Sequence, residues 1–194
     1  MRVSRVQAEE NRQTVIDVAS RLFREHGFDG IGLKDLMKGA GLTQGAFDKQ
    51  FASKDDLAAQ ASKRALESAT RRWSDAAAAN PKDPLAAVMA FYLSMGHCED
   101  RMEGRPIVAL GSDAARQGVD VKASFEAGIK THLEMFGRMI AKTDGEEPET
   151  KDKAMAILST MVGAVTLSRV VNEADLAQAF LDAAAEQVRK ILAA

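Results

Sequence analysis

Apolar residues recur along the chain at the three- and four-residue spacing of amphipathic helices, and no run alternates in the way typical of strands. The first periodic stretch covers residues 9–26, and Gly27 follows it as a C-terminal stop. A shorter stretch covers residues 33–39. The pattern therefore predicts an all-α fold without a sheet.

Two short predicted helices, 33–39 and 43–50, are separated by a sharp turn. Gly41 supplies the positive φ that such a turn needs, and Thr43 is a good N-cap for the second helix. Phe47 is spaced to anchor that helix on the helices before it. This arrangement is a helix-turn-helix, a motif that places its second helix in a DNA major groove.

A long helix is predicted over residues 54–78, because Ser53 caps its start and Pro81 interrupts the chain after it. Later helices are predicted at 85–103, 107–116, 121–142, 151–171 and 174–193. We therefore divide the chain into a three-helix, DNA-binding head (1–53), a connecting helix (54–78) and a C-terminal helical domain (79–194) for ligand binding and dimerisation.

The helix predicted at 151–171 is apolar around much of its circumference, so it needs cover on more than one side. The helix at 174–193 carries a single apolar stripe. We expect both helices to join their counterparts in a second copy of the chain as a four-helix bundle. The predicted homodimer contacts are Met161, Ala164, Val165, Leu167, Phe180, Ala184 and Val188.

Methionine and phenylalanine concentrate in the middle helices. Most of them are expected in the core, but such pliable side chains also suit a cavity for a bulky apolar molecule. The predicted contacts to a small-molecule effector are Phe91, Met95, Met102, Phe125, Met135, Phe136 and Met139.

Charge gives the DNA-binding prediction little support. The chain has a net charge of −2, and its first 60 residues hold nine basic and nine acidic side chains. Because DNA affinity draws on phosphate neutralisation, any basic patch must come from local placement. The basic residues available for it are Arg2, Arg5, Lys34, Lys49 and Lys54. The N-terminal arginines fit an arm on DNA as well as a disordered tail.

Other functional classes find no support in the sequence. We expect no enzyme activity and no cofactor, because neither a phosphate loop, a nucleophile elbow nor a metal-ligand spacing occurs. His97, Cys98 and His132 lack zinc-site spacing, and Cys98 fits either a redox switch or an inert thiol. A single cysteine, no signal-peptide core and no long apolar run predict a cytoplasmic protein without membrane contact.

Four stretches follow one another within the first 60 residues: ASRLFREHGF (19–28), LKDLM (33–37), AGLTQGAF (40–47) and FASKDDL (51–57). In their order and spacing they resemble the TetR family of bacterial transcriptional repressors. The resemblance implies that Gln44 reaches a base edge, that small Gly45 and Ala46 permit close approach, and that Lys54 contacts a phosphate. The implied or predicted DNA contacts are Lys34, Thr43, Gln44, Gly45, Ala46, Asp48, Lys49, Gln50 and Lys54.

Two positions depart from the family pattern. Asp48 stands where an aromatic residue, usually tyrosine, is common, and Gly32 replaces the usual Ser or Thr cap of the second helix. A carboxylate near phosphates is repelled. Asp48 therefore accepts a hydrogen bond from a cytosine amine, pairs with a neighbouring lysine, or weakens DNA binding.

Together these features predict a homodimeric, ligand-responsive transcriptional regulator. We expect a repressor that a small lipophilic effector releases from a palindromic operator, with the two recognition helices about 34–36 Å apart on double-stranded DNA. An activator, or a regulator without an effector, has the same sequence pattern. The alternatives from other classes are a helical ligand-binding or scaffold protein whose DNA-binding head has lost function, and a helical enzyme.

Overall fold

All regular structure is helical in the residues that the computed structural model describes, which are 4–96, 102, 105–144 and 149–193. This confirms the all-α prediction. The helices are α1 (Arg5–His26), α2 (Leu33–Gly39), α3 (Lys54–Ala79), α4 (Pro84–Tyr92), α5 (Pro106–Ala114), α6 (Val119–Asp144), α7 (Glu149–Val170) and α8 (Ala174–Ala193). A single turn of 3₁₀ helix, Gln44–Ala46, lies between α2 and α3.

The described residues form two compact units. The first contains the residues up to Ser68 and those between 102 and Ala127, and the second contains the remainder. Residues 105–127 thus belong with the N-terminal helices, whereas the sequence placed them in the C-terminal domain. Residues 105–127 join this unit because two of their apolar side chains, Leu110 and Phe125, are buried in the same cluster as the side chains of α1 and α2.

Local signals define the helices of the first unit. Ser4 caps α1, because its Oγ accepts a hydrogen bond from the Gln7 amide at 3.1 Å. Gly27 ends that helix with a φ of 79°, and Gly41 turns the chain after α2 with a φ of 71°. Both glycine predictions are confirmed, as is the cap at Ser53, whose Oγ accepts from the Asp56 amide.

The prediction of a regular helix over residues 43–50 is wrong. Residues 44–46 form one 3₁₀ turn, with hydrogen bonds from Ala46 to the Thr43 carbonyl and from Phe47 to the Gln44 carbonyl. Thr43 occupies the N-cap position, but its side chain makes no capping hydrogen bond. A stretch this short, with Gly45 inside it, has little intrinsic drive towards α-helix.

The predicted helix over 85–103 is interrupted, because α4 ends at Tyr92; residues 95 and 96 are helical again, and residues 97–101 and 103 of the predicted range lie outside the described residues. Leu93 leaves the helical region with φ −92° and ψ 12°. The Ser94 hydroxyl then donates to the Phe91 carbonyl at 3.0 Å, a local bond that competes with helix continuation. The remaining helices agree with prediction to within a few residues.

In the second unit, α7 packs along α8. Ile157, Met161 and Val165 are wholly buried on one side of α7. By length and composition α7 is also the one helix, among those described, that is apolar enough to cross a membrane. Core helices of soluble proteins pass the same test, so this one helix is weak evidence for a membrane span.

Candidate functional site

Residues 43–50, named here the recognition segment, present polar and small side chains to solvent. Thr43, Gln44 and Gly45 are exposed, and Ala46 is half-buried. A Cβ built on Gly45 meets nothing within 4 Å, so this glycine is not required by packing inside the chain. The open space above it leaves room for the close approach of a flat or grooved partner.

The opposite side of the recognition segment is anchored in the core of the first unit. Phe47 and Phe51 are each only 4% exposed. Their rings stack with centroids 5.4 Å apart. On the N-terminal side, the Leu42 amide donates to the Met37 carbonyl at 2.9 Å, which ties the segment to the end of α2. One face of the segment is therefore fixed and the other is free.

The second half of the recognition segment carries its charge. Asp48 and Lys49 are both exposed. Gln50 differs from the expectation that it faces the DNA groove: it is half-buried, and its Oε1 is shielded from solvent without a hydrogen-bond partner. The backbone N–H of Gln50 donates to the Phe47 carbonyl at 2.8 Å.

The start of α3 follows directly and completes the surface. Asp56 Oδ2 accepts from the Ala52 amide at 3.0 Å, and the Asp56 amide donates to Ser53 Oγ at 3.0 Å. The arrangement differs from a capping box, because the Asp56 carboxylate accepts from the amide of Ala52, one residue before the cap, and not from the amide of Ser53. Lys54 is half-buried at the first position of α3, and Lys34 is exposed near the start of α2. A helix start with a lysine beside it favours an anionic ligand such as phosphate, and the carboxylates of Asp55 and Asp56 in the same turn oppose it.

The predicted effector contacts do not form one group. Phe125 is buried in the first unit, so the expectation that it lines a cavity in the C-terminal domain is not supported. Met102 is 39% exposed and also belongs to the first unit. Met135 and Phe136 are buried in the second unit. Phe91, Met95 and Met139 are half-buried there and retain accessible surface.

An aromatic cluster that sequence reasoning did not find occupies the second unit. Trp73 stacks on His132, with ring centroids 4.1 Å apart, and on Phe136 at 5.1 Å, while Tyr92 meets its edge at 5.4 Å. His132 is 1% exposed, and burial lowers its pKa to about 4. Its Nε2 lies 3.2 Å from Thr70 Oγ1, whereas its Nδ1 is buried without a partner.

The same unit has a surface groove of about 350 Å³ between α4 and α8. Met89, Leu93 and Leu181 contribute apolar surface to it, and Asp83 and Arg189 are among its polar lining residues. None of the seven predicted effector contacts lines this groove. Within the described ranges, no three metal-ligating side chains cluster together. His97 and Cys98 lie outside those ranges.

Five of the predicted dimer contacts pack inside the second unit and are at most 7% exposed in the single chain; they are Met161, Ala164, Val165, Ala184 and Val188. Of the other two, Leu167 is 45% exposed and Phe180 is half-buried, so these two offer the most surface to another chain. Unpredicted apolar exposure lies on the same helices at Val170 (71%) and Leu176 (42%).

Comparison with known proteins agrees with this picture of the head. A family model described as bacterial regulatory proteins of the tetR family matches residues 15–61, which include α1, α2 and the recognition segment. The HTH-type transcriptional regulator LmrA of Bacillus subtilis (strain 168) is 22% identical over 163 residues, which cover 82% of this chain and 86% of LmrA.

Solved structures share the fold of the whole chain. The reduced form of E. coli NemR superposes with a TM-score of 0.80 at 18% identity, over 94% of this chain and 97% of NemR. A TetR-family regulator of Cytophaga hutchinsonii gives a TM-score of 0.82 at 18% identity, over 100% of this chain and 97% of the regulator. Residues 15–61 therefore match the N-terminal module of the tetR family of bacterial regulatory proteins, and the whole chain shares the fold of solved regulators of that family.

Proposed function

We propose that the chain is a homodimeric repressor that reads a palindromic operator with its recognition segment and leaves it when a small lipophilic effector binds. The observation that carries the DNA-reading part is the two-sided segment. Phe47 and Phe51 are buried, while Thr43, Gln44 and Gly45 are exposed on the other face. The buried rings anchor the segment, and the small Gly45 and the amide of Gln44 on its exposed face suit direct readout of base edges.

We assign different roles to the residues around the segment. Gln44 contacts a base, with its side-chain amide matching the donor and acceptor of adenine. Lys49, Lys34 and Lys54 approach phosphates, and Lys54 does so together with the backbone amides at the start of α3. Asp48 is exposed, and no ion pair or hydrogen bond is found for its carboxylate within the described residues. It is therefore available to accept from the amine of a cytosine.

For dimerisation we propose the outer face of α7 and α8. Leu167 and Val170 are exposed on α7, and Leu176 is exposed at the start of α8. Gly163 lies near the same face, and a Cβ built on it meets nothing within 4 Å, so a second helix can come close. Large exposed aliphatic residues in a row are unfavourable in water, and a second copy would cover them.

For the effector we propose the second unit, with Phe91, Met95 and Met139 as contacts. These three side chains are half-buried, so each combines a packed base with surface that a ligand can cover. Release from DNA requires an effector with a higher affinity for the conformation that does not bind the operator. A nearly complete shift in population needs a differential affinity of roughly 5.5 kcal/mol.

The DNA-reading proposal is tested by gel mobility shift on DNA upstream of the chain's own gene, at two salt concentrations. We expect sequence-selective, salt-sensitive binding. Lys54→Ala should weaken binding to all sequences alike and lower the salt slope by about 0.9, whereas Gln44→Ala should relax selectivity at particular base pairs. Binding without any sequence preference would favour the helical scaffold reading instead.

A further inference from the structure

Arg12 on α1 makes three contacts with the end of the recognition segment and the start of α3. Its Nε donates to the Gln50 carbonyl at 3.4 Å. Its Nη2 donates to Gln60 Oε1 at 2.6 Å. Its Cζ lies 5.3 Å from the centroid of the Phe51 ring, within cation–π range. One guanidinium therefore joins three parts of the first unit.

These contacts continue to the chain that links the segment to α3. Gln60 Nε2 donates to Asp56 Oδ1 at 2.7 Å, and Asp56 Oδ2 accepts from the Ala52 amide at 3.0 Å. Arg12 is thus connected, through Gln60 and Asp56, to the backbone directly after Phe51. The planar fork of an arginine makes several directed hydrogen bonds at once, which the point charge of a lysine does not.

The recognition segment is not a regular helix, so contacts from outside contribute to its position. Its own backbone bonds are local: Ala46 and Phe47 donate to the Thr43 and Gln44 carbonyls, and Gln50 and Phe51 both donate to the Phe47 carbonyl. At its N-terminal side, the Leu42 amide donates a hydrogen bond to the Met37 carbonyl. In its middle, the ring of Phe47 is buried in the core. At the C-terminal side Arg12 adds a side-chain contact, because its Nε donates to the Gln50 carbonyl.

We propose that Arg12 is a positioning residue for DNA recognition: it fixes the pose of the recognition segment from behind and contacts no DNA itself. This inference rests on the proposed role of residues 43–50 in reading DNA. A side chain that holds the segment must affect the order of the segment without DNA. It must also affect specific affinity without changing the number of phosphates contacted.

Arg64 offers a matched control in the same unit. Its Nε lies 2.6 Å from Asp17 Oδ1, and its Nη2 donates to Gln13 Oε1 at 3.0 Å, so it also ties α3 to α1. No contact of Arg64 with the recognition segment is found in the described part of the chain. Arg12→Ala and Arg64→Ala each remove one α1–α3 tie, and only the first removes a tie to the segment.

The first measurement is hydrogen–deuterium exchange of the full chain without DNA. We expect peptides covering residues 43–53 to exchange about tenfold faster in Arg12→Ala than in Arg64→Ala, as local opening becomes easier. Arg12→Lys keeps the charge and serves if the alanine variant does not fold; it should also exchange faster, because it lacks the fork. Equal exchange in the Arg12 and Arg64 variants would overturn the proposal.

The second measurement is binding to a duplex that the wild-type chain selects from a randomised pool. Arg12→Ala should lose about tenfold or more in specific affinity, keep its non-specific affinity and keep its salt slope. A slope reduced by about 0.9 would instead make Arg12 a direct phosphate contact. If the wild-type chain selects no duplex, the proposed function fails, while the exchange measurement still decides the role of Arg12.

Discussion

Burial of His132 makes the stability of this protein depend on pH in a defined window. The ring lies against Trp73 and is 1% exposed, and burial lowers its pKa from 6.5 to about 4. In the unfolded chain the same ring takes up a proton near its ordinary pKa. Between those two values the unfolded state binds more protons than the folded state, so the free energy of unfolding decreases as the pH falls.

The size of the effect follows from the two pKa values. Each pH unit between them costs up to about 1.36 kcal/mol, and the full term is present above pH 6.5 and lost by about pH 4. Going from about pH 7.5 to about pH 5.0, His132 alone should remove about 2 kcal/mol of stability. The contribution of His132 is isolated by comparing the chain with a variant that cannot take up the proton.

Urea unfolding at both pH values, at fixed protein concentration, measures this term. His132→Phe keeps an aromatic ring beside Trp73 and cannot be protonated, and His132→Gln provides a second non-titrating side chain. The wild-type chain should lose about 2 kcal/mol more than either variant between the two pH values. If all three chains lose the same amount, His132 titrates normally in the folded state and the reasoning from its burial is wrong.

Three further predictions concern the DNA-reading and dimer surfaces. Gly45→Leu should leave the urea midpoint almost unchanged and abolish specific binding in a mobility shift, whereas Gly118→Leu, at a glycine with equally open surroundings, should leave binding intact. Phe47→Ala should lower the free energy of unfolding by about 3–5 kcal/mol in urea titrations, since the ring is buried; an unchanged midpoint would contradict the anchoring role. Val170→Asp should yield monomers in sedimentation velocity, whereas Val119→Asp, at a valine of similar exposure (77%), should remain dimeric. If Val170→Asp is also dimeric, the proposal that α7 forms part of the interface is wrong.

Helix positions could be predicted because local chemistry decides them. Gly27, Gly41 and Ser53 each act within one turn of their own position, and the structure gives them the conformations and bonds that the sequence implied. The recognition segment could be located for the same reason. Its irregular geometry could not, because a short stretch that contains Gly45 has little helical drive of its own and packs through tertiary contacts of Phe47 and Phe51 that the local pattern does not reveal.

Which face of an apolar helix is buried was harder to predict. Every side of α7 carries apolar residues, so the periodicity gives no preferred face. The structure buries Met161 and Val165 within the unit and leaves Leu167 and Val170 exposed. Likewise, nothing local marks Phe125 as part of the core of the head, since it lies far from α1 and α2 along the chain and joins them only through tertiary packing.

The most direct test of the proposed function is the mass of the complex between the chain and its selected duplex, measured by light scattering. We predict that two chains, each of 20.9 kDa, bind one duplex that contains an inverted repeat with half-sites about 10 base pairs apart. One chain on a duplex without internal symmetry would contradict the claim that a dimer presents two recognition segments to DNA.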